Sequence, residues 1–257
     1  MSDEIQITAS IVLFKENVQT LKSTVKSFLQ IPFSKKLYLI DNSPKNTLEK
    51  EFEYPEIEFI FNNKNIGFGA AHNLVLKDLK SEYHLILNPD VSFNTTVFNK
   101  LIVQLKQNKN VAMISPKAEY PNGANQIICR RNPTVKEMIS RRIGLFKKKQ
   151  YLEEELSKPF NPAFIHGCFM FFKTADFIKL KGFDERYFLY MEDADICREI
   201  KKSGKEILYY PEVTITHFHR KESSKKIKFL FLISLFLYKY LHIPYIKNNA
   251  HQSLLIL

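Results

Sequence analysis

The chain is predicted to fold as an open, mostly parallel α/β sheet flanked by helices, and three features of the sequence carry that prediction. Short β-rich apolar runs alternate with segments of helical period through residues 1–115, the pattern of parallel strands joined by helical crossovers. The polar clusters that end or follow these runs are rich in Asp, Asn and Gly, and they fall at the strand ends where open α/β sheets bind ligands. The length of 257 residues is enough to bury one large core, or a domain with an appendage.

Residues 5–14 form the first apolar run. A helical pattern follows through Val18, Leu21, Val25, Phe28 and Leu29 and ends near Pro32. Residues 37–40 are a short strand that stops at Asp41-Asn42-Ser43-Pro44. Residues 57–61 are a third run, leading into the loop NNKNIGFG at 62–69 and a helix from 70 to 79. The fourth, residues 83–87, ends at Asn88-Pro89-Asp90. A helix over 97–108 and a strand over 111–115 continue the pattern, and regularity then fails through the basic stretch 116–162. Residues 164–173 read as a returning strand carrying His166-Gly167-Cys168, and 175–181 as a short helix. A further helix ends at Gly204, and 207–210 and 213–217 read as strands on either side of Pro211. There is no internal repeat.

Composition excludes some classes and suggests others. Three widely spaced cysteines, Cys129, Cys168 and Cys197, give neither a disulfide framework nor a paired zinc pattern, which points to a reducing compartment. The polar, acidic N-terminus does not read as a signal peptide. The net charge of +11 is concentrated in residues 129–150 and 220–228. Such patches suit phosphates, an acidic membrane surface or nucleic acid, although a solvated face explains any single run as well. In the tail, residues 229–238 are apolar all round, yet a bilayer span needs roughly 20 such residues. With Lys225, Lys226, Lys228 and Lys239 as flanks, the run is expected at a membrane interface, the alternative being a buried or dimer-forming helix.

Several clusters carry chemistry. The run GFDERYFLYMEDADIC at 182–197 sets Asp184, Glu185, Glu192, Asp193 and Asp195 among aromatic residues at the start of a helix. Acids there either complement the helix dipole or supply a general base. Asp90, at the end of an apolar strand, is either a divalent-metal ligand or part of a β-turn. Asp41 is either a nucleobase or ribose acceptor or the first residue of an Asx-turn. Gly67 and Gly69 permit close backbone approach before a helix N-terminus that suits a diphosphate, although the loop is neither a P-loop nor a dinucleotide fingerprint. His72 reads as packed or functional alike. His217 and His219 share one face if their strand continues.

Taken in order, these pieces closely resemble the family 2 glycosyltransferases, particularly the rhamnosyltransferase-like branch. The resemblance spans roughly residues 5–220 and is most specific in NNKNIGFGAAHN, LILNPDV, GFDERYFLYMEDADICREIKKSG and YPEVTITH. It implies a GT-A fold over 1–220, with a nucleotide-binding half (1–115) and an acceptor-binding half (116–220), followed by a basic and apolar helical tail (221–257). It also implies inverting transfer from a nucleotide-diphosphate sugar, dTDP-rhamnose first and a UDP-sugar second, to a bacterial surface glycan on a lipid carrier. The enzyme would then be cytoplasmic and peripheral on the inner membrane, with no nucleic-acid partner and with a homodimer as an option. By the same resemblance Asp41, Asn65, Gly67, Asn73, Asn88 and Asp90 face the donor, and Asp90 and His217 hold Mg²⁺ or Mn²⁺. Asp193 is the catalytic base, and His166, Gly167 and Glu192 lie on the acceptor side. The chain departs from the common Asp-x-Asp in having Asn88-Pro89-Asp90, and it has His72 where relatives carry Gly or Asn.

Three rivals rank below this reading. A nucleotidyltransferase would need a glycine-rich basic loop after the first strand, where Phe14-Lys15-Glu16-Asn17 has no glycine. A basic nucleic-acid binder, suggested by a pI near 9.4, would bind in a salt-sensitive way and ignore nucleotide sugars. A membrane-bound scaffold with a degenerate pocket would bind donor without turning it over.

Overall fold

The structure is a computed structural model that describes residues 6–131, 150–218 and 233–234. His219, most of the first basic cluster, all of the second and, apart from 233–234, the apolar tail lie outside the described residues.

Central strand β1 (Gln6–Leu13) lies between β2 (Ser34–Asp41) and β4 (Tyr83–Leu87), and β3 (Ile57–Phe61) closes that side, all four parallel. Burial on both faces of β1, β4 and the second half of β2 explains their apolar runs, while β3 at the edge is only partly buried. Parallel register aligns their carboxyl ends: Leu13 pairs with Asp41, Asp41 with Phe61, and Ile11 with Leu87. Helix α1 (Val18–Leu29) buries Leu21, Val25 and Phe28 and is capped by Asn17, whose side chain accepts from the N–H groups of Gln19 and Thr20. The expected helix over 70–79 is shorter: α2 (Phe68–Asn73) is followed by a separate 3₁₀ turn at Leu76–Asp78.

Beyond β4 the sheet becomes mixed. After β5 (Val91–Phe93) and α3 (Thr96–Gln107), strand β6 (Val111–Glu119) does not pair with β4, because β10 (Phe169–Lys173) is inserted antiparallel between them. The single strand expected over 164–173 is therefore two. Its first part, β9 (Phe164–Ile165), leaves to pair with β8 (Cys129–Arg130), and His166-Gly167-Cys168 links the two sheets at the carboxyl edge of β4. The short β7 (Asn125–Gln126) extends β6.

Helix α4 (Glu153–Leu156) and helix α5 (Thr174–Lys179) precede α6 (Glu192–Lys202), which stops just before Gly204 at φ 80°. The two strands expected around Pro211 are one, β11 (Glu206–His217), whose register on β6 slips between Tyr210 and Thr214, where proline offers no N–H to the ladder. The far end of β11 pairs antiparallel with β5, from His217↔Val91 to Ile215↔Phe93. This pairing carries His217 to the turn that presents Asp90. Among the described residues no helix is long and apolar enough to cross a membrane.

Candidate active site

The site is built along the carboxyl edge of the parallel strands. Asp41, the last residue of β2, is fully buried, and its Oδ1 accepts from the Ser43 N–H at 2.9 Å, so the Asx-turn foreseen as an alternative is present. Its Oδ2 is a buried acceptor with no partner among the described residues. Beside it, Asn42 donates to the Gly67 carbonyl at 3.1 Å and to Asn65 Oδ1 at 3.3 Å, and that same Oδ1 accepts from the Gly67 N–H at 3.0 Å. Asn65 therefore shapes the loop. Gly67 has φ 93°, and a Cβ there would meet the Phe188 carbonyl oxygen at 2.5 Å. The loop is thus pressed against the acidic run, and the Phe68 N–H donates to the same oxygen at 3.0 Å.

Asn73, expected to face the donor, has partners within the protein for both ends of its amide. Its Nδ2 donates to the Phe183 carbonyl at 2.8 Å and its Oδ1 accepts from the Phe183 N–H at 2.9 Å. With both ends of the amide engaged, it clips α2 to the segment before the acids. Gly182 fits under this clip because a Cβ at its φ of 65° would lie 2.1 Å from Asn73 Oδ1. His72 is likewise packed rather than facing the site: it is fully buried, bonded to Ser10 Oγ at 2.7 Å and edge-on to Phe68.

The five acids of the run divide by environment. Asp184 takes the Arg186 guanidinium on both oxygens, and Glu185 accepts from Asn73 at 3.1 Å, so both set the loop. Tyr190 and Met191 then hold left-handed backbone at φ 71° and 70°, a costly conformation for non-glycine residues that aims the start of α6. Asp195 pairs with Arg198 and accepts from the Tyr187 hydroxyl at 3.3 Å; burial pushes its carboxyl up to about 6 against the opposing Arg198 charge. Glu192 is buried with Oε2 unpartnered among the described residues, and burial followed by the Asp193 charge holds its carboxyl well above the usual range. Asp193 is different. Its Oδ1 accepts from the Ala194 N–H at 2.7 Å, its Oδ2 accepts from the Gly167 N–H at 3.2 Å, and His166 Nδ1 lies 3.5 Å from Oδ2.

On the other side of that link, the Asn88 N–H donates to the Cys168 carbonyl at 2.9 Å. Asp90 Oδ1 stands 3.2 Å from His217 Nε2, and Asn88 Nδ2 is 3.5 Å from the same nitrogen. Thr24 donates to the Pro89 carbonyl at 2.8 Å, and the Phe218 N–H to the Asp90 carbonyl at 3.0 Å, so the turn is held from α1 and from beyond β11. Burial alone would lower the His217 pKa, but hydrogen bonds with Asp90 and Cys168 raise it to about 10. His217 Nδ1 donates to Gln126 Oε1 at 2.7 Å, which leaves Nε2 facing Asp90. Once the proton shared with Asp90 leaves Nε2, Asp90 and His217 offer one oxygen and one nitrogen donor to a divalent cation, a set that fits an ion taking its remaining ligands from phosphate and water. Among the described residues no group of three or more such ligands exists.

Gln126, Thr24 and Arg130, which donates to His166 Nε2 at 3.1 Å, were missed in the sequence. None belongs to a motif, and only the pairings of β7, α1 and β8 bring them in.

Comparison with known proteins bears on the family and the fold. The chain matches the family model described as glycosyl transferase family 2 over residues 9–180, a segment that stops short of Asp193 and His217. It is 23% identical over 202 residues to the N-acetylglucosaminyl-diphospho-decaprenol L-rhamnosyltransferase of Mycobacterium tuberculosis, covering 72% of this chain and 64% of that protein. It is 26% identical over 164 residues to the rhamnosyltransferase WbbL of Escherichia coli, covering 59% and 61%. The chain thus spans less than two thirds of either relative. The crystal structure of GalNAc-T7 with UDP, GalNAc and Mn²⁺ superposes with a TM-score of 0.69 at 18% identity over 85% of this chain and 44% of that one, which shows a shared fold.

Proposed function

The chain belongs to glycosyl transferase family 2 and has the GT-A fold of a glycosyltransferase, and from that premise we propose an inverting transfer of rhamnose from dTDP-rhamnose to a hydroxyl of a lipid-linked glycan. A UDP-sugar is the second choice of donor. The names of both relatives support rhamnose, and that of the mycobacterial one supports a diphospho-lipid acceptor. The observation that carries the reading is the dipeptide Gly167-Cys168: one residue's N–H holds Asp193 Oδ2, and the next residue's carbonyl holds Asn88, two residues from Asp90. A base and a diphosphate-end carboxylate are thereby fixed across one short link.

In this reaction Asp193 takes the proton of the acceptor hydroxyl as that oxygen attacks the anomeric carbon in line with the departing nucleoside diphosphate. The backbone N–H groups of Ala194 and Gly167 hold the carboxylate in one orientation. Glu192 is unsuited to the base role because burial favours its protonated form. The unpartnered Oδ2 of Asp41 suits an imide N–H such as that of thymine or uracil, reached once the surrounding asparagines yield. Asn65 and Gly67 shape the loop on the donor side, Asn73 braces it from behind, and His166, Gly167 and Glu192 border the acceptor. Asp90 and His217 would hold Mg²⁺ or Mn²⁺, which when bound offsets the negative charge on the diphosphate.

A thermal-shift panel of dTDP- and UDP-sugars with and without Mn²⁺ tests the donor side, the expected outcome being a Mn²⁺-dependent shift largest with dTDP-rhamnose. Asp193→Asn is expected to keep that shift while lowering transfer by on the order of 10²- to 10⁴-fold. Near-normal transfer by this variant would sink the assignment of the base.

A further inference from the structure

We propose that Arg130 is a positioning residue for the base, acting through His166: by donating to Nε2 it places the imidazole proton on Nδ1, which faces Asp193 Oδ2. The inference rests on the reading of Asp193 as the base. It starts from the small sheet of β8 and β9, where Arg130 pairs with Phe164 and the His166 N–H donates to the Ile128 carbonyl at 3.0 Å. Side chains two apart share a face, so His166 lies diagonally across from Arg130. Arg130 Nε donates to His166 Nε2 at 3.1 Å.

A guanidinium has only donors and keeps its proton in proteins, so the contact requires Nε2 to accept. The ring is then neutral with its single proton on Nδ1. That nitrogen lies 3.5 Å from Asp193 Oδ2, one small rotation from a hydrogen bond, and Oδ2 already accepts from the Gly167 N–H. The opposite tautomer would set a lone pair of Nδ1 against a carboxylate lone pair and release the oxygen from that side. Arg130 thus orients the base without touching the reacting atoms. Its neighbour Arg131 points to the other face of β8, where it holds Glu155 at 2.8 and 2.9 Å and lies over the Tyr151 ring. Adjacent arginines therefore separate two roles, and Arg131 serves as the control.

The test combines a spectrum with kinetics. Long-range ¹H–¹⁵N spectra of ¹⁵N-histidine-labelled protein, with the His166 signals assigned by their loss in His166→Asn, are expected to show Nδ1–H in the wild type and in Arg131→Met, and Nε2–H in Arg130→Met. With dTDP-rhamnose and a short-chain N-acetylglucosaminyl-diphospho-lipid, Arg130→Met is expected to lower kcat by roughly 10- to 100-fold at unchanged donor KM. The Arg130→Met/His166→Asn double variant should be no slower than His166→Asn alone. An Nε2–H signal in the wild type, additive losses in the double variant, or a raised donor KM in Arg130→Met would each overturn the proposal. Active Asp193→Asn protein would instead overturn the base assignment, while the tautomer spectrum still reports on the Arg130–His166 contact.

Discussion

Gly67 is held as a glycine by both its backbone conformation and the backbone packed against it. Its φ of 93° is strained for any side chain, and a Cβ would lie 2.5 Å from the Phe188 carbonyl, a backbone atom that cannot swing away. Gly167, beside Asp193, differs: a Cβ there meets Asp193 Cβ and the Phe68 ring at 3.6 Å, ordinary contact. Gly67→Ala is therefore expected to cost about 1–3 kcal/mol in urea unfolding and to weaken the donor-induced thermal shift. Gly167→Ala should leave stability nearly unchanged. Equal stability of the two variants would show that the loop does not depend on contact with Phe188. Both glycines are visible in the sequence, but only Phe188, more than a hundred residues away, separates them.

Between α2 and α6 the acidic run is held as a unit, and Asn73 is its fastener. The two hydrogen bonds to the Phe183 backbone and the contact with Glu185 fix the segment from which the left-handed pair Tyr190 and Met191 turns into α6. Asn73→Ala leaves the Phe183 N–H and carbonyl to find other partners, at a cost of about 1–3 kcal/mol. The expected result is a lower unfolding midpoint with donor affinity kept. A variant of unchanged stability that no longer binds nucleotide sugar would restore the direct donor contact expected from the sequence. The sequence reading put Asn73 on the donor side through family resemblance, and only the contacts with Phe183 and Glu185, 110 and 112 residues further on, give its amide partners inside the protein.

Through the whole core runs a line of buried polar groups that the reaction does not use. Ser81 meets Thr8 at 2.6 Å, Thr8 meets His84 Nδ1 at 2.9 Å, His84 Nε2 meets Ser10 at 3.1 Å, and Ser10 meets His72 at 2.7 Å. Burial lowers His84 from 6.5 to about 3 and lowers His72 well below its ordinary value, with the neighbouring His84 adding to the second shift. Both are neutral in the native state. Below about pH 6.5 the unfolded chain takes up protons that the folded chain excludes, so this contribution is complete above that pH and is lost progressively toward pH 3. Asp195, raised to about 6, opposes it by favouring the folded state as pH falls, and so do Glu192 and His217, whose values are also raised. Between about pH 7.5 and 5 the urea midpoint is therefore expected to fall further, or rise less, in the wild type than in the His72→Gln/His84→Gln variant. An equal slope in the two proteins would show that these histidines are not excluded from water.

Local pattern determined the four parallel strands, the helices between them, and the edge on which Asp41, the Gly67 loop and Asp90 gather, since each depends on periodicity and turn residues within a dozen positions. The ordered motifs also identified the enzyme family before any coordinate was seen. Tertiary structure decided what those signals cannot contain: the insertion of β10 between β4 and β6, the pairing of β11 with β5 that brings His217 to Asp90, and the division of five similar acids into braces and one oriented carboxylate. The physical reason is common to all three. A carboxylate's role follows from its burial and from the donors that reach it, and here the Gly167 N–H reaches Asp193 from the link between β9 and β10, whose place is set by long-range packing.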